Sequence, residues 1–270
     1  MNKNKSLIDF FYESKNRSIK WKKYFPIYEN LFSKYKNKKI TFVEIGVLDG
    51  GSLGIWKKYF GEDARIIGID NNPECKKFEN SNFEIFIGSQ SDRNFWKKFY
   101  NKIGKVDIIL DDGGHTNDQQ IISLIESIDN INNGGLHVVE DVHSSYMKYF
   151  GNPNKYSFVN FTKKLIDDIN FTFPNMKKFN FSLNQSIYSI QYFESIVAFF
   201  IDRNLCQQNI SIENKGFKSN NHDTKLDDSF FRFRKKYSLY YKFKLIKKIE
   251  RYFIIKYFRK KSRELKKYFK

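Results

Sequence analysis

The chain has 270 residues, enough to bury a full core in one large domain with appendages. Its net charge of +18 would point to nucleic acid, but residues 232–270 hold seventeen Lys and Arg against two acids, Glu250 and Glu264, so the remaining body is nearly neutral. Apolar runs stay short of the ~20 residues that cross a bilayer, no signal-peptide pattern follows the charged N-terminus, and two cysteines, Cys75 and Cys206, make neither a disulfide framework nor a zinc cluster; a cytoplasmic protein is expected.

Residues 6 to about 37 read as helices, because "WKKYFPIYENLF" carries aromatic and aliphatic residues at helical spacing with Pro26 near a helix start. An alternation then begins. "ITFVEIG" (40–46) predicts a buried strand, and "GGSLGIWKKYF" (50–60) a glycine-rich turn leading into a helix. "RIIGID" (65–70) and "FEIFIGS" (83–89) predict the second and third strands, and "SDRNFWKKFYNKI" (91–103) an amphipathic helix capped by Ser91. "VDIILDD" (106–112) predicts strand four, and "TNDQQIISLIESIDNI" (116–131) a helix capped by Thr116 and ended by Gly134 and Gly135. "LHVVED" (136–141) follows as strand five. Beyond 150, "KYSFVNFTKKLIDDINF" predicts a helix, and "SIYSIQYF" with "SIVAFFID" a closing hairpin turned at Glu194. Strands alternating with helices mean βαβ units, so the body is expected to be a doubly wound, mostly parallel α/β domain. Residues 203–231 are polar and read as a linker.

In open α/β sheets, ligands bind beyond the carboxyl ends of the strands. The loops expected there combine one glycine-rich turn with many acids. The first, "EIGVLDGGS", lacks the full G-x-G-x-x-G of a pyrophosphate cradle. Glu44 and Gly46, with Asp70 at the next strand end where an acid would meet ribose hydroxyls, better suit a cationic nucleoside without phosphates, such as S-adenosylmethionine. The plain alternative is that Gly50 and Gly51 merely form a tight turn.

Asp112, Glu140 and Asp141 lie at neighbouring strand ends if strands four and five pair. Three converging carboxylates repel one another unless a cation neutralises them, and oxygen-only ligation points to Mg²⁺ or another hard divalent ion. The competing reading is that individual acids cap helices or touch the cosubstrate. His115, three residues past Asp112, is the first choice for a general base, and His143 competes for that role. His137, inside strand five, and His222, in the linker, read as structural.

Taken together, these motifs resemble the metal-dependent class I methyltransferases that O-methylate sugars, the macrolide-sugar methyltransferase family with its polysaccharide-modifying relatives. The resemblance runs from "FPIYENLF" through "FVEIGVLDGGSLGIW", "IIGID", "GSQSD", "DIILDDGGH" and "GGLHVVEDVHSSY" to "SIQYFESIVAFF", roughly residues 20–202. It implies a seven-stranded sheet ending in an antiparallel hairpin. It assigns Asp112, Glu140 and Asp141 to Mg²⁺, His115 to the base, and Glu44, Gly46, Ser52, Asp70, Gln90, Ser91 and Asp111 to the S-adenosylmethionine site. One departure is Gly114, where the family usually has serine, which is expected to loosen the loop carrying His115. The implied acceptor is a sugar hydroxyl, with a bacterial cell-surface polysaccharide (capsule or lipopolysaccharide) or its precursor as the expected carrier.

Two rivals stand beside this reading: a nucleic-acid methyltransferase gripping through the tail, and a non-catalytic assembly partner. The near-neutral body and the absence of an Asn/Asp-Pro-Pro-aromatic motif weigh against the first, and the retained acids and histidine against the second. The expected organisation is a helical segment or substrate lid at 1–38, the methyltransferase domain at 39–202, the linker at 203–231 and a basic tail at 232–270. Read as a helix, the tail gathers Leu245, Ile246, Ile249, Tyr252 and Phe253 on one side, with Lys244, Lys247, Lys248 and Arg251 flanking or opposing them. Such a helix suits an anionic membrane surface; packing on the body or on a second copy in a homo-oligomer is the equal alternative.

Overall fold

Five apolar runs form parallel strands: β1 (Thr41–Ile45), β2 (Arg65–Asp70), β3 (Phe83–Ile87), β4 (Val106–Asp111) and β5 (Ile131–Val139). The hairpin β6 (Ile187–Phe193) and β7 (Ile196–Ile201) completes a seven-stranded sheet of order β3-β2-β1-β4-β5-β7-β6, with β7 antiparallel to both neighbours. This is a computed structural model, describing residues 5–171, 173, 180–217, 232, 235–240 and 242–269. The chain divides into two units, Met1–Ser211 and Ile212–Lys270.

The strands are apolar almost throughout because helices cover both faces. Phe42, Ile66, Ile108, Leu110 and Val138 face one core, which α1 (Leu7–Tyr12), α2 (Tyr24–Phe32) and α3 (Gly51–Phe60) complete. Val43, Ile67, Ile109 and Val139 face the other, beneath α4 (Arg93–Ile103), α5 (Asn117–Ser127) and α6 (Phe158–Asn170). Trp56 anchors the first core, with ring centroids 5.3 Å from Tyr28, 5.6 Å from Phe32 and 5.1 Å from Phe42. Each such aromatic contact adds about 0.5–1.5 kcal/mol beyond the area it buries. The N-terminal helices thus share a core with the sheet.

Local chemistry moves several expected boundaries. Asp92 rather than Ser91 caps α4, its carboxylate accepting from the Asn94 amide at 2.8 Å. Thr116 caps α5 as expected, in a capping box with Gln119. That helix stops at Ser127, and Gly134 and Gly135 lie inside β5 instead of ending it. A side chain at Gly135 would overlap the Asp107 carbonyl, where the β4–β5 register shifts between Val106 and Ile108. Glycine at this spot serves a bulge, not a helix end.

In the second unit, α7 spans Lys244–Glu264. Ile246, Glu250, Ile254 and Tyr257 lie on its more covered side, while Leu245, Ile249, Tyr252 and Phe253 are exposed. No described helix is long and apolar enough to cross a membrane. Of the expected linker, residues 203–217 carry only turns and irregular chain, and 218–231, with His222, lie outside the described residues.

Candidate active site

The loop after β1 is fixed by Asp70 at the end of β2. Asp70 Oδ2 accepts from the amides of Val47 at 2.8 Å and Leu48 at 3.3 Å, and Oδ1 from the Asn72 amide at 2.9 Å. Gly46 has φ of +95°, and a side chain there would overlap the Asp112 carbonyl, so glycine alone lets the β1 and β4 loops approach this closely. Gly46, Asp70, Ser89, Gln90, Asp112, His115 and Asp141 line one cleft.

Other residues expected at the cosubstrate site lie behind that cleft. Glu44 is fully buried and accepts from Ser52 Oγ at 2.6 Å. Asp111 is fully buried and bonded by Ser123 Oγ and by Gln90 Nε2 at 2.9 Å. Burial pushes both carboxyls above the ordinary carboxylate range, and these hydrogen bonds work in the opposite direction. Asp111 thereby orients Gln90, whose Oε1 accepts from the Gly114 amide at 2.9 Å. Ser91 Oγ lies 3.0 Å from Ser89 Oγ, away from the lining. Gly114, the departure from the family pattern, is tied down through Gln90, and a side chain there would meet the end of Gln119.

The acids at the ends of β4 and β5 do not all face one way. Consecutive residues leaving a strand point to opposite sides. Glu140 turns inward, 1% exposed, and accepts from the Tyr28 hydroxyl at 2.5 Å. Asp141, in the left-handed region at φ of +53°, turns toward the cleft and accepts from the Tyr24 hydroxyl at 2.5 Å. Asp112, just past β4, is partly buried. Among the described residues, Asp112, His115 and Asp141 each offer an atom within 4.8 Å of the others, and Glu140 stands outside that group.

Lys20, which no motif singled out, completes the cluster. Its ammonium lies 2.5 Å from Asp112 Oδ2, 3.1 Å from Glu140 Oε1 and 3.4 Å from Glu44 Oε1. Burial alone would lower its pKa, but the three carboxylates outweigh burial and hold it well above the ordinary lysine value. Burial and the Asp112 charge push the Glu140 carboxyl up, against the pull of Lys20. Lys20 thus supplies a positive charge between Asp112 and Glu140.

His115 Nε2 lies 3.5 Å from Asp141 Oδ2 and 3.9 Å from Asp112 Oδ1, and its Nδ1 is buried with no hydrogen-bond partner among the described residues. Its backbone has φ of +57°, and its carbonyl accepts from Ser144 Oγ at 2.8 Å. His143 Nδ1 pairs with Ser195 Oγ and stands 3.9 Å from Asp141 Oδ1. The structure thus sets His115 between the two carboxylates and His143 at their edge. His137 is fully buried, with neither ring nitrogen bonded among the described residues.

No protein-family profile matches the chain. It is 31% identical over 156 residues to 8-demethyl-8-alpha-L-rhamnosyl tetracenomycin-C 2'-O-methyltransferase of Streptomyces olivaceus, a match covering 54% of this chain and 41% of that enzyme. It is 32% identical over 133 residues to mycinamicin VI 2''-O-methyltransferase of Micromonospora griseorubida, covering 47% and 33%. The matched segment therefore spans less than half the length of these curated relatives. Among solved structures, the MycE methyltransferase of the mycinamycin pathway, in complex with Mg and SAH, superimposes with a TM-score of 0.62 at 25% identity, over 72% of this chain and 52% of that one. The chain is thus similar in sequence to sugar O-methyltransferases of antibiotic pathways and in fold to the MycE methyltransferase.

Proposed function

We propose that the chain transfers a methyl group from S-adenosylmethionine to a sugar hydroxyl, with a divalent ion, Mg²⁺ in the first place, at the acids of β4 and β5. The observation that carries this reading is that Gly46, Asp70, Gln90, Asp112, His115 and Asp141 line one cleft together. The named sugar O-methyltransferases support the reaction class, and the Mg and SAH in the MycE complex support the two cofactors.

Gly46 and the Asp70-anchored loop would take the nucleoside, together with Gln90, which Asp111 steadies. Asp112 and Asp141 would hold the divalent ion, with Glu140 as the third acid the resemblance assigns to it, and the ion's charge would make an acceptor hydroxyl easier to deprotonate. His115 takes that proton on Nε2, with Asp112 and Asp141 stabilising the imidazolium. The acceptor oxygen bonds to the sulfonium methyl as the carbon–sulfur bond breaks, leaving S-adenosylhomocysteine. Orientation and fixed charge carry most of the acceleration. Release of S-adenosylhomocysteine on adding rhamnosyl or other deoxysugar glycosides tests the reading, and no release with any saccharide would overturn it.

The relatives are named for sugars of antibiotics. For this chain we favour a saccharide assembled at a membrane surface, an idea supported by the tail. Leu245, Ile249, Tyr252 and Phe253 are exposed on α7 among Lys244, Lys248 and Arg251. Each basic residue near an anionic surface adds about 1 kcal/mol of attraction, so a few suffice for peripheral, cytoplasmic-face binding. Sedimentation with anionic but not neutral liposomes at low salt tests this, and its absence would leave the tail as a packing element.

A further inference from the structure

Residues 13–23, between α1 and α2, cross the site as a strap. Arg17 pairs with Asp49 at 2.7 Å, and Lys23 with Glu194 at 2.6 Å. Trp21 meets His143 edge-on, with centroids 6.2 Å apart. Ile19 and Trp21 are mostly exposed, yet the Lys20 side chain between them is 5% exposed. One ammonium thus reaches in alone, to Asp112, Glu140 and Glu44.

We propose that Lys20 is an internal competitor for the divalent ion: its ammonium fills the cation position between Asp112 and Glu140 when the metal is absent, and leaves it when the metal binds. The inference rests on the metal-dependent reading above. A hard divalent ion such as Mg²⁺ approaches carboxylate oxygens to about 2.0–2.1 Å. Asp112 Oδ2 and both Glu140 oxygens are already within hydrogen-bond reach of Lys20. An ion on the same oxygens would stand beside the ammonium, and like charges at such a distance repel strongly in a buried site. The carboxylates in turn cannot stay bare, because buried acids without a counter-charge are costly. Lysine answers that need in the free protein, and a divalent ion answers it better by closer approach and double charge.

Two consequences follow from exclusion. The apparent metal affinity is lowered by the fraction of molecules in which Lys20 holds the site. Metal binding also frees residue 20 from burial, which couples the ion to the strap.

The test measures Mn²⁺ binding calorimetrically, with no acceptor or turnover, in the full chain and in Lys20→Met. The expected result is at least tenfold tighter binding in Lys20→Met. In parallel, trypsin cleavage after Lys20 in the unaltered protein should be slow without metal and accelerate several-fold at saturating Mn²⁺, measured against cleavage after exposed Lys215. Equal or weaker Mn²⁺ binding by Lys20→Met, or a Lys20 bond that Mn²⁺ leaves equally or better protected, overturns the proposal while leaving the metal reading standing. No Mn²⁺ binding by either protein overturns both. Should the variant fail to fold, the protease result on the unaltered protein decides.

Discussion

The Tyr28 hydroxyl donates to Glu140 Oε1 across 2.5 Å inside the core, on an α2 ring that also meets Trp56 at 5.3 Å. The aromatic helix that closes one face of the sheet therefore also fixes one of the acids at the end of β5. Tyr28→Phe keeps the ring and removes the donor. It should cost about 0.5–1.5 kcal/mol, the usual net worth of a hydrogen bond inside a protein. Urea unfolding reads this as a lower midpoint at constant slope; an unchanged midpoint would show that Glu140 does not depend on the phenol.

Two glycines should respond in opposite directions. Gly46→Ala forces a side chain into the Asp112 carbonyl at φ of +95°, and should destabilise by about 1–3 kcal/mol while weakening the thermal shift given by S-adenosylmethionine. Gly54 lies inside α3 with open space where a side chain would go, and Gly54→Ala should gain about 0.5–1 kcal/mol. Melting temperatures of the two variants check both signs at once.

Much of this was legible in the sequence because its signals are local. Strand runs, the Thr116 cap and the Glu194 hairpin depend on nearest neighbours, and each strand fell within a residue or two of its place, save the start of β5. Gly134 and Gly135 misled because glycine looks the same in a bulge and at a helix end; only pairing with β4 separates them. The acids of the site were visible as residues but not as directions. Glu140 and Asp141 diverge because one backbone step, with Asp141 in the left-handed region, turns them apart. Lys20 gave no signal at all: it is one of many lysines in this chain, and its partners lie 24, 92 and 120 residues away.

His137 should make the protein acid-labile. Burial pulls its pKa from 6.5 down to about 3, so the folded chain keeps it neutral. A depressed folded value means stability that is present above pH 6.5 and lost as pH falls toward 3. At pH 5 the loss amounts to about 2 kcal/mol. His137→Leu should therefore lose about that much less stability between pH 7 and pH 5. An identical pH dependence in both proteins would contradict the burial argument.

The two histidines of the cleft should separate kinetically. His115→Gln should lower kcat by about 10²–10⁴-fold, the usual contribution of a positioned general base, while the S-adenosylmethionine thermal shift persists. His143→Gln, at the edge of the carboxylates and tied to Ser195, should have the smaller effect. The reverse order would move the base to His143.

The central claim is methyl transfer that needs both S-adenosylmethionine and a divalent ion at the ends of β4 and β5. It is tested most directly by following S-adenosylhomocysteine release with a saccharide acceptor, in EDTA and after Mg²⁺ is restored, for the unaltered chain and for Asp112→Asn and Asp141→Asn. Turnover should stop in EDTA, return with Mg²⁺, and be absent from both folded variants. Full turnover in EDTA, or full activity in either variant, would contradict it.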